Sequence, residues 1–309
     1  LNIYNIAHAS DVCLCNLVTV TVTVMSKTQR AAFYVGKGGV GKTTSAAHIA
    51  TAAANLHDLN VVLIDLAGTQ NDLATQFGLA DDVADPDAPI SAVFGDDWEF
   101  IVDNIPNIVE RMVYDTGEGP DLIPSDAGLS GADNNLASIP VEQRYLKLDS
   151  FINNQLADQY DLVLLDLPGK EDNISLNGVF AAENIVTPLC PGAFERDQLD
   201  NLRGDLAAIR DDLEDVLAQH EVHPHLAMVI PTMIDARTTQ SEEFVDDIQA
   251  AYTEIAGEPV AQSQNIGNLQ SDGRTLFDAD DDELYSTGKR SRDAYQTNTE
   301  LLLEQLTPR

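Results

Sequence analysis

Short apolar runs recur along this chain at residues 31–35, 61–65, 121–124, 162–166, 184–189 and 226–231, separated by stretches with helical spacing. Runs of this length suit strands, and their alternation with helices is the pattern of a mostly parallel sheet with helices on both faces. Helices are predicted over 42–56, 141–157, 193–220, 241–255 and 284–306. The first is alanine-rich and contains neither Gly nor Pro, as expected of a helix packed against a sheet. Residues 80–119 are rich in Asp and carry no readable period. With no internal repeat and no low-complexity linker, the expected fold class is one α/β domain.

In open parallel sheets, ligands bind beyond the carboxyl ends of the strands, so the residues after these runs hold the candidate chemistry. The first run is followed by Gly36-Lys37-Gly38-Gly39-Val40-Gly41-Lys42-Thr43-Thr44, which fills the phosphate-loop pattern G-x-x-x-x-G-K-[ST] in the required order of strand, loop and helix. A triphosphate needs many N–H donors converging on its oxygens, and residues without side chains let the backbone approach that closely. Gly38, Gly39 and Gly41 serve that need, and the candidate nucleotide-binding stretch is Gly38, Gly39, Val40, Gly41, Lys42, Thr43 and Thr44. The following helix N-terminus favours an anion through its free N–H groups and dipole. Lys42 would reach the β- and γ-phosphates, and the Thr43 hydroxyl would ligate Mg²⁺.

Two further runs end in acids. Asp166-Leu167-Pro168-Gly169 follows Leu162-Val163-Leu164-Leu165, a Walker B arrangement in which Asp166 would hold the Mg²⁺ shell and the Gly169 N–H would sense the γ-phosphate. Alone, D-x-x-G equally describes a strand-end aspartate that caps a turn; its place after a phosphate loop gives it weight. Asp65 ends Val61-Val62-Leu63-Ile64 on the same side of the sheet and is a second candidate near the metal.

Composition narrows the setting. The chain has 309 residues, 44% of them hydrophobic, which suffices for one large α/β domain. Its formal net charge is −34, with the acids spread along the whole length. Such self-repulsion destabilises a fold at low ionic strength and is screened at molar salt, where the Debye length falls to about 3 Å. The expected setting is therefore a salt-adapted, halophilic cytoplasm. An acidic surface made for a basic partner is the alternative, although that would concentrate the acids on one segment. Cys13, Cys15 and Cys190 are too few and too uneven for a disulfide framework or a four-thiolate metal site. His220, His223 and His225 surround Pro224 without an acid or thiol ligand held with them, which disfavours a metal site there.

Residues 1–24 open with Leu1, carry no Lys or Arg, and alternate through Leu17-Val18-Thr19-Val20-Thr21-Val22-Thr23-Val24. A signal peptide needs a basic start and a membrane helix a longer apolar run. The expectation is a non-native or disordered extension over 1–24, with Met25 as the working start and 25–309 as a single P-loop ATPase domain.

The second lysine of the loop adds a resemblance. Lys37-Gly38-Gly39-Val40-Gly41-Lys42-Thr43-Thr44 resembles the deviant Walker A loop of the ParA/MinD group of ATPases. Asp121-Leu122-Ile123-Pro124-Ser125 with Leu129-Ser130-Gly131-Ala132, Tyr160-Asp161 through Gly169, residues 182–191, Thr232-Met233-Ile234-Asp235-Ala236-Arg237-Thr238, and Thr287-Gly288-Lys289 are similar to later segments of ParA/Soj-type partition ATPases. The resemblance implies ATP and Mg²⁺ as ligands, with Lys37, Lys42 and Asp65 in catalytic roles. Lys37 would reach across a nucleotide-sandwich homodimer to the partner's phosphates. It further implies an ATP-dependent dimer that binds DNA without sequence preference, answers to a centromere-binding partner protein, and moves plasmid or chromosome copies apart in a nucleoid- or plasmid-associated cytoplasmic setting. Lys289, Arg290 and Arg292, with Arg196, Arg203, Arg210 and Arg237, are the candidate cations for DNA. Thr232 and its neighbours are candidates for the base pocket, and adenine follows from the family alone.

One departure stands out. Where the family's strand ends D-x-D-P-Q, this chain reads Asp65-Leu66-Ala67-Gly68-Thr69-Gln70-Asn71-Asp72, so Ala67 replaces the acid that orients the attacking water. Slow hydrolysis is expected, unless Asp72 or Gln70 folds back to reach that water. This leaves open an ATP-dependent positioning or regulatory scaffold without a role in DNA segregation. A membrane-cycling relative would need a basic amphipathic C-terminal helix, which the acidic and apolar Leu301-Leu302-Leu303-Glu304-Gln305-Leu306 is not. An iron–sulfur relative would need more than the lone Cys190 of the domain.

Overall fold

The computed structural model describes residues 28–68, 71–192, 204, 206–211 and 213–306. Seven strands are found there: β1 (Gln29–Phe33), β2 (Val61–Asp65), β3 (Tyr114–Asp115), β4 (Asp121–Ile123), β5 (Leu162–Asp166), β6 (Asn184–Leu189) and β7 (His225–Pro231). They form one sheet in the order β3-β4-β2-β5-β1-β6-β7, parallel throughout except for the β3–β4 edge pair. Strands β2, β5 and β6 are buried at every position. Burial on both faces is why they read as continuous apolar runs.

The two faces separate by the two-residue period of a strand. Ala32, Val62, Ile64, Val163 and Leu165 point into one core with Phe151, Ile174 and Phe180, residues of the helices Lys147–Phe151 and Asn173–Ala182. Ala31, Phe33, Val61, Leu63, Leu162 and Leu164 point into the other, with Ala46, Ile49 and Ala50 of α1 (Lys42–His57) and Tyr295 and Leu302 of the C-terminal helix Ser286–Gln305. Small residues on α1 let it lie close to the sheet, which fixes the direction of its first turn.

The predicted helix over 141–157 is corrected: it is broken into Val141–Arg144, Lys147–Phe151 and a π-helical turn Ile152–Leu156. The cause is tertiary. Arg30, on β1, is fully buried, and its guanidinium donates to Asp149 at 2.8 Å and to Asn153 at 2.6 Å. Asn153 lies within the π turn, whose wider loop presents both groups to one cation. Replacing Arg30 with methionine removes the guanidinium from a largely buried carboxylate, and is expected to cost about 3–5 kcal/mol in urea unfolding. The double variant Arg30→Met/Asp149→Leu is expected to recover most of that loss.

The predicted helices at 241–255 and 284–306 occur as Thr239–Ala251 and Ser286–Gln305. Of the one over 193–220, Glu214–His220 is helical, while residues 193–203 lie outside the described residues. The unreadable stretch 80–119 holds two 3-10 turns, Ile90–Phe94 and Glu110–Met112, the helix Trp98–Asn104, and β3. Residues 1–24, with Cys13 and Cys15, and Met25 lie outside the described residues.

Candidate nucleotide and metal site

The loop over 36–41 runs from the carboxyl end of β1 to the first turn of α1. Gly39 at φ 75° and Gly41 at φ 90° occupy the left-handed region, where a Cβ is strained. Loop residues 36–39 are exposed, and a Cβ at Gly38 or Gly39 would meet no atom within 4 Å, so this backbone faces open space. Helix α1 starts with no side-chain cap and no acid in its first turn. In a chain with 51 acids, that leaves its N–H groups and positive dipole end uncontested by any side chain of the turn.

Lys42 and Thr43 stand at this helix start. Lys42 is buried, and its Nζ donates to the Lys37 carbonyl at 2.9 Å. Burial lowers its pKa, and Asp166 nearby pushes it back up. The Thr43 hydroxyl donates to Asp166 Oδ2 at 2.5 Å. Asp166 Oδ1 is buried and has no hydrogen-bond partner among the described residues. Directly across the sheet, in register with Asp166, lies the buried Asp65, whose Oδ1 accepts from the Ala67 amide at 2.9 Å.

Two buried carboxylates on neighbouring strands resist ionisation. Desolvation first, then the nearby Asp65, raises Asp166 to about 8. Desolvation also raises Asp65 to about 6, with Asp72 adding to it, while the amides of Ala67 and Leu73 and the Ser125 hydroxyl hold it down. A divalent cation would relieve that repulsion. The donors at hand, a hydroxyl and carboxylates with one orphan oxygen, are the hard oxygen set that suits Mg²⁺.

Lys37, the stretch from Gly38 to Thr44, Asp65, Asp166 and Gly169 therefore meet at one edge of the sheet. Gly169 comes closest to the loop: a Cβ there would lie 3.0 Å from the Lys37 carbonyl carbon and 3.2 Å from Lys42 Nζ. Glycine is what lets the turn after β5 touch the phosphate loop. Thr232, at the end of β7, lies beneath the loop, its hydroxyl shared between the carbonyls of Val40 at 2.8 Å and Leu189 at 2.9 Å. That hydroxyl positions the loop. Beyond it, a cavity of about 590 Å³ is lined by Ile234, Gln262, Ser263, Tyr285, Thr287 and Arg290, among others.

Of the candidate DNA cations, Lys289, Arg290 and Arg292 share the first turns of the C-terminal helix Ser286–Gln305. Arg292 pairs with Asp281 and Arg237 with Asp235, and Arg210 donates to the Pro224 carbonyl. Arg196 and Arg203 lie outside the described residues, as does Gln70. Sequence reasoning overlooked His48. It is buried on α1, its Nδ1 donates to the Thr44 carbonyl at 2.7 Å, and its Nε2 accepts from the Leu276 amide at 3.2 Å. Its ring stacks on Tyr295 at 4.7 Å, and burial pushes its pKa down to about 4. It thereby ties the loop's helix to the C-terminal segment. Its spacing of four from Thr44, on an otherwise alanine-rich helix face, was the available signal.

Comparison with known proteins agrees with this geometry. A family model described as an AAA domain, AAA_31, matches residues 28–219, more than half of the chain. The chain is 28% identical over 254 residues to a chromosome-partitioning ATPase Soj of Thermus thermophilus, covering 81% of this chain and 88% of the relative. It is 28% identical over 226 residues to a chromosome partitioning protein ParA of Caulobacter vibrioides, covering 70% and 73%. Among solved structures, a cobyrinic acid a,c-diamide synthase from Mycobacterium smegmatis with bound ADP and magnesium superposes with a TM-score of 0.66 at 22% identity, covering 90% of this chain and 94% of that one. No described helix is long and apolar enough to cross a membrane.

Proposed function

The chain belongs to the AAA_31 family of AAA domains, and on that premise we propose that it is a ParA/Soj-type partition ATPase that binds ATP with Mg²⁺ and dimerises when loaded. The observation that carries the reading is the contact of Thr43 with Asp166 beside Lys42, at an uncapped helix start facing an open glycine loop. In this reading the phosphates lie along Gly38–Thr44, Lys42 neutralises the β- and γ-oxygens, and Thr43 and Asp166 hold the Mg²⁺ that balances the remaining charge, with Asp65 behind them. The base extends past Thr232 toward the cavity beyond β7, where the Gln262 amide has the donor and acceptor that adenine pairs with.

The finer parts of the proposal rest on fewer observations. Residues 25–309 act as a single domain in a salt-adapted cytoplasm, hydrolysis is slow because Ala67 carries no carboxylate, and DNA is held through its phosphates. A centromere-binding protein is the partner. DNA contact requires dimerisation, because Arg237 and Arg292 are paired with acids and a chain at −34 has little cationic surface to offer alone. Lys37 is exposed and forms no ion pair among the described residues, so its side chain is available to a second subunit.

The test is light scattering and DNA gel shift in molar KCl, with and without ATP–Mg²⁺. The wild type is expected to pass from monomer to dimer with ATP, and to shift DNA only as the dimer. Lys37→Ala is expected to keep ATP affinity within about twofold by calorimetry, yet to remain a monomer and to lose turnover about 10²-fold. A Lys37→Ala variant that still dimerises with ATP removes its intersubunit role. A chain that shifts no DNA in any state leaves the scaffold reading.

A further inference from the structure

We propose that Thr232 is a positioning residue for the phosphates, one whose hydroxyl turns the Gly41 N–H toward them. The proposal rests on the ATP-binding reading above, and it moves the role of Thr232 from the base to the other end of the nucleotide.

Thr232 is buried and directly follows β7. Its amide donates to the Leu189 carbonyl at 2.6 Å, which fastens it to the end of β6. Its hydroxyl lies 2.8 Å from the Val40 carbonyl and 2.9 Å from that same Leu189 carbonyl. A hydroxyl has one proton to give. Leu189 already holds the Thr232 amide, whereas the Val40 carbonyl accepts from no other group among the described residues. The proton therefore goes to Val40, across 192 positions of sequence.

The consequence falls on the next amide. The Val40–Gly41 peptide is trans, and in a planar trans peptide the C=O and N–H point to opposite sides. A Val40 carbonyl drawn onto the strand ends leaves the Gly41 N–H facing away from them. That amide meets no protein acceptor among the described residues, and Gly38 and Gly39 beside it face open space. A Cβ at Gly41 would lie 3.9 Å from the Cβ, Cγ2 and Oγ1 of Thr232, so the whole threonine side chain rests against this peptide. An amide aimed in this way is a donor for a phosphate oxygen.

Packing alone does not call for a hydroxyl here. Val40 and Leu189 belong to an apolar core with Val35 and Val229, and valine would fill the same space as threonine. It would, however, leave the buried Val40 carbonyl without a partner and the peptide free to turn.

A threonine that merely satisfies a buried carbonyl would affect stability without affecting nucleotide affinity. Thr28 is the matched control: it is buried before β1, at the end opposite the loop, with its hydroxyl 3.0 Å from the Ala157 carbonyl and 3.1 Å from that of Tyr160. Affinities for ATP–Mg²⁺ and GTP–Mg²⁺, and thermal melting, are measured in molar KCl for the wild type, Lys42→Ala, Thr28→Val, Thr232→Val, Thr232→Cys and Thr232→Ser. Thr232→Val is expected to weaken ATP about tenfold. The ratio of ATP to GTP affinity is expected to stay within about twofold of the wild type, because no base contact is altered. Thr232→Ser is expected to restore ATP affinity. Thr232→Cys, a weaker donor, is expected to fall between the two and tests the same bond if the valine chain does not fold. Thr28→Val is expected to lower the melting midpoint and leave ATP affinity intact. Unchanged ATP affinity in Thr232→Val and Thr232→Cys, a loss that serine does not restore, or an equal loss in Thr28→Val overturns the positioning role alone. A changed ATP-to-GTP ratio also overturns it and returns the residue to the base. A wild type that binds ATP no more tightly than Lys42→Ala overturns the ATP reading and this proposal together.

Discussion

Replacing Asp166 with asparagine is expected to raise the melting midpoint of the metal-free protein while removing Mg²⁺-dependent ATP turnover. Asp166 is fully buried, in register with a second buried acid, and one of its oxygens is unpaired. Its folded pKa is about 8 against an ordinary value of 3.8, raised by desolvation and then by Asp65. A group whose pKa is raised on folding contributes stability that is fully present below 3.8 and is lost as pH rises through the folded value. At pH 7, between the two values, the metal-free fold has lost much of that stability, because the unfolded chain ionises this group freely while the folded one resists its ionisation. Asparagine keeps an oxygen for the Thr43 hydroxyl and removes the ionisable group. A gain of a few kcal/mol corresponds to roughly 5–10 °C in a domain of this size. With ATP–Mg²⁺ the order reverses, because ligand binding stabilises only the chain that can hold the metal. Melting at pH 6, 7 and 8 in molar KCl, with and without ATP–Mg²⁺, checks both halves. The gain in the variant grows with pH, and a metal-free variant that melts below the wild type refutes the buried-charge account.

The parts of this site legible in the sequence are those fixed by local chemistry. Strands β2 and β5 are buried on both faces, so they stand out as unbroken apolar runs, and Asp65 and Asp166 are visible because they end them. The glycine spacing of the loop is equally local, since left-handed backbone at Gly39 and Gly41 demands that residue type. What escaped depends on distant partners. The break in the helix over 141–157 answers to Arg30, more than a hundred residues away. Asn71, at the start of the next helix, is held by Ser125, more than fifty residues on. Thr232 reads as a pocket residue at a strand end, and only its position beneath Val40 shows that its hydroxyl braces the loop. The short turns and the helix Trp98–Asn104 within 80–119 send Ile90, Phe94, Trp98 and Met112 into one core with Leu148 and Phe151, a packing that no periodicity encodes.

Substituting Lys42 with alanine is expected to lower turnover about 10²–10³-fold and to displace the pH dependence of Mg²⁺ binding toward alkali. The first effect follows from removing the cation aimed at the transferring phosphate. The second follows from Asp166, whose raised pKa is held down by Lys42 and by the Thr43 bond. Without the ammonium, the protonated form of Asp166 is favoured further, so a higher pH is needed before the carboxylate can bind a metal. Lys42→Arg is not expected to rescue either property. The ammonium sits 3.2 Å from the space a Cβ at Gly169 would fill and donates to the Lys37 carbonyl, and a planar guanidinium cannot enter so narrow a gap without displacing the loop. Calorimetric titration of Mg²⁺ with ATP between pH 6 and 9 reads the displacement directly. A Lys42→Ala variant whose metal affinity follows the wild-type pH profile shows that the two groups are electrostatically independent, and a Lys42→Arg variant with normal turnover shows that the loop yields.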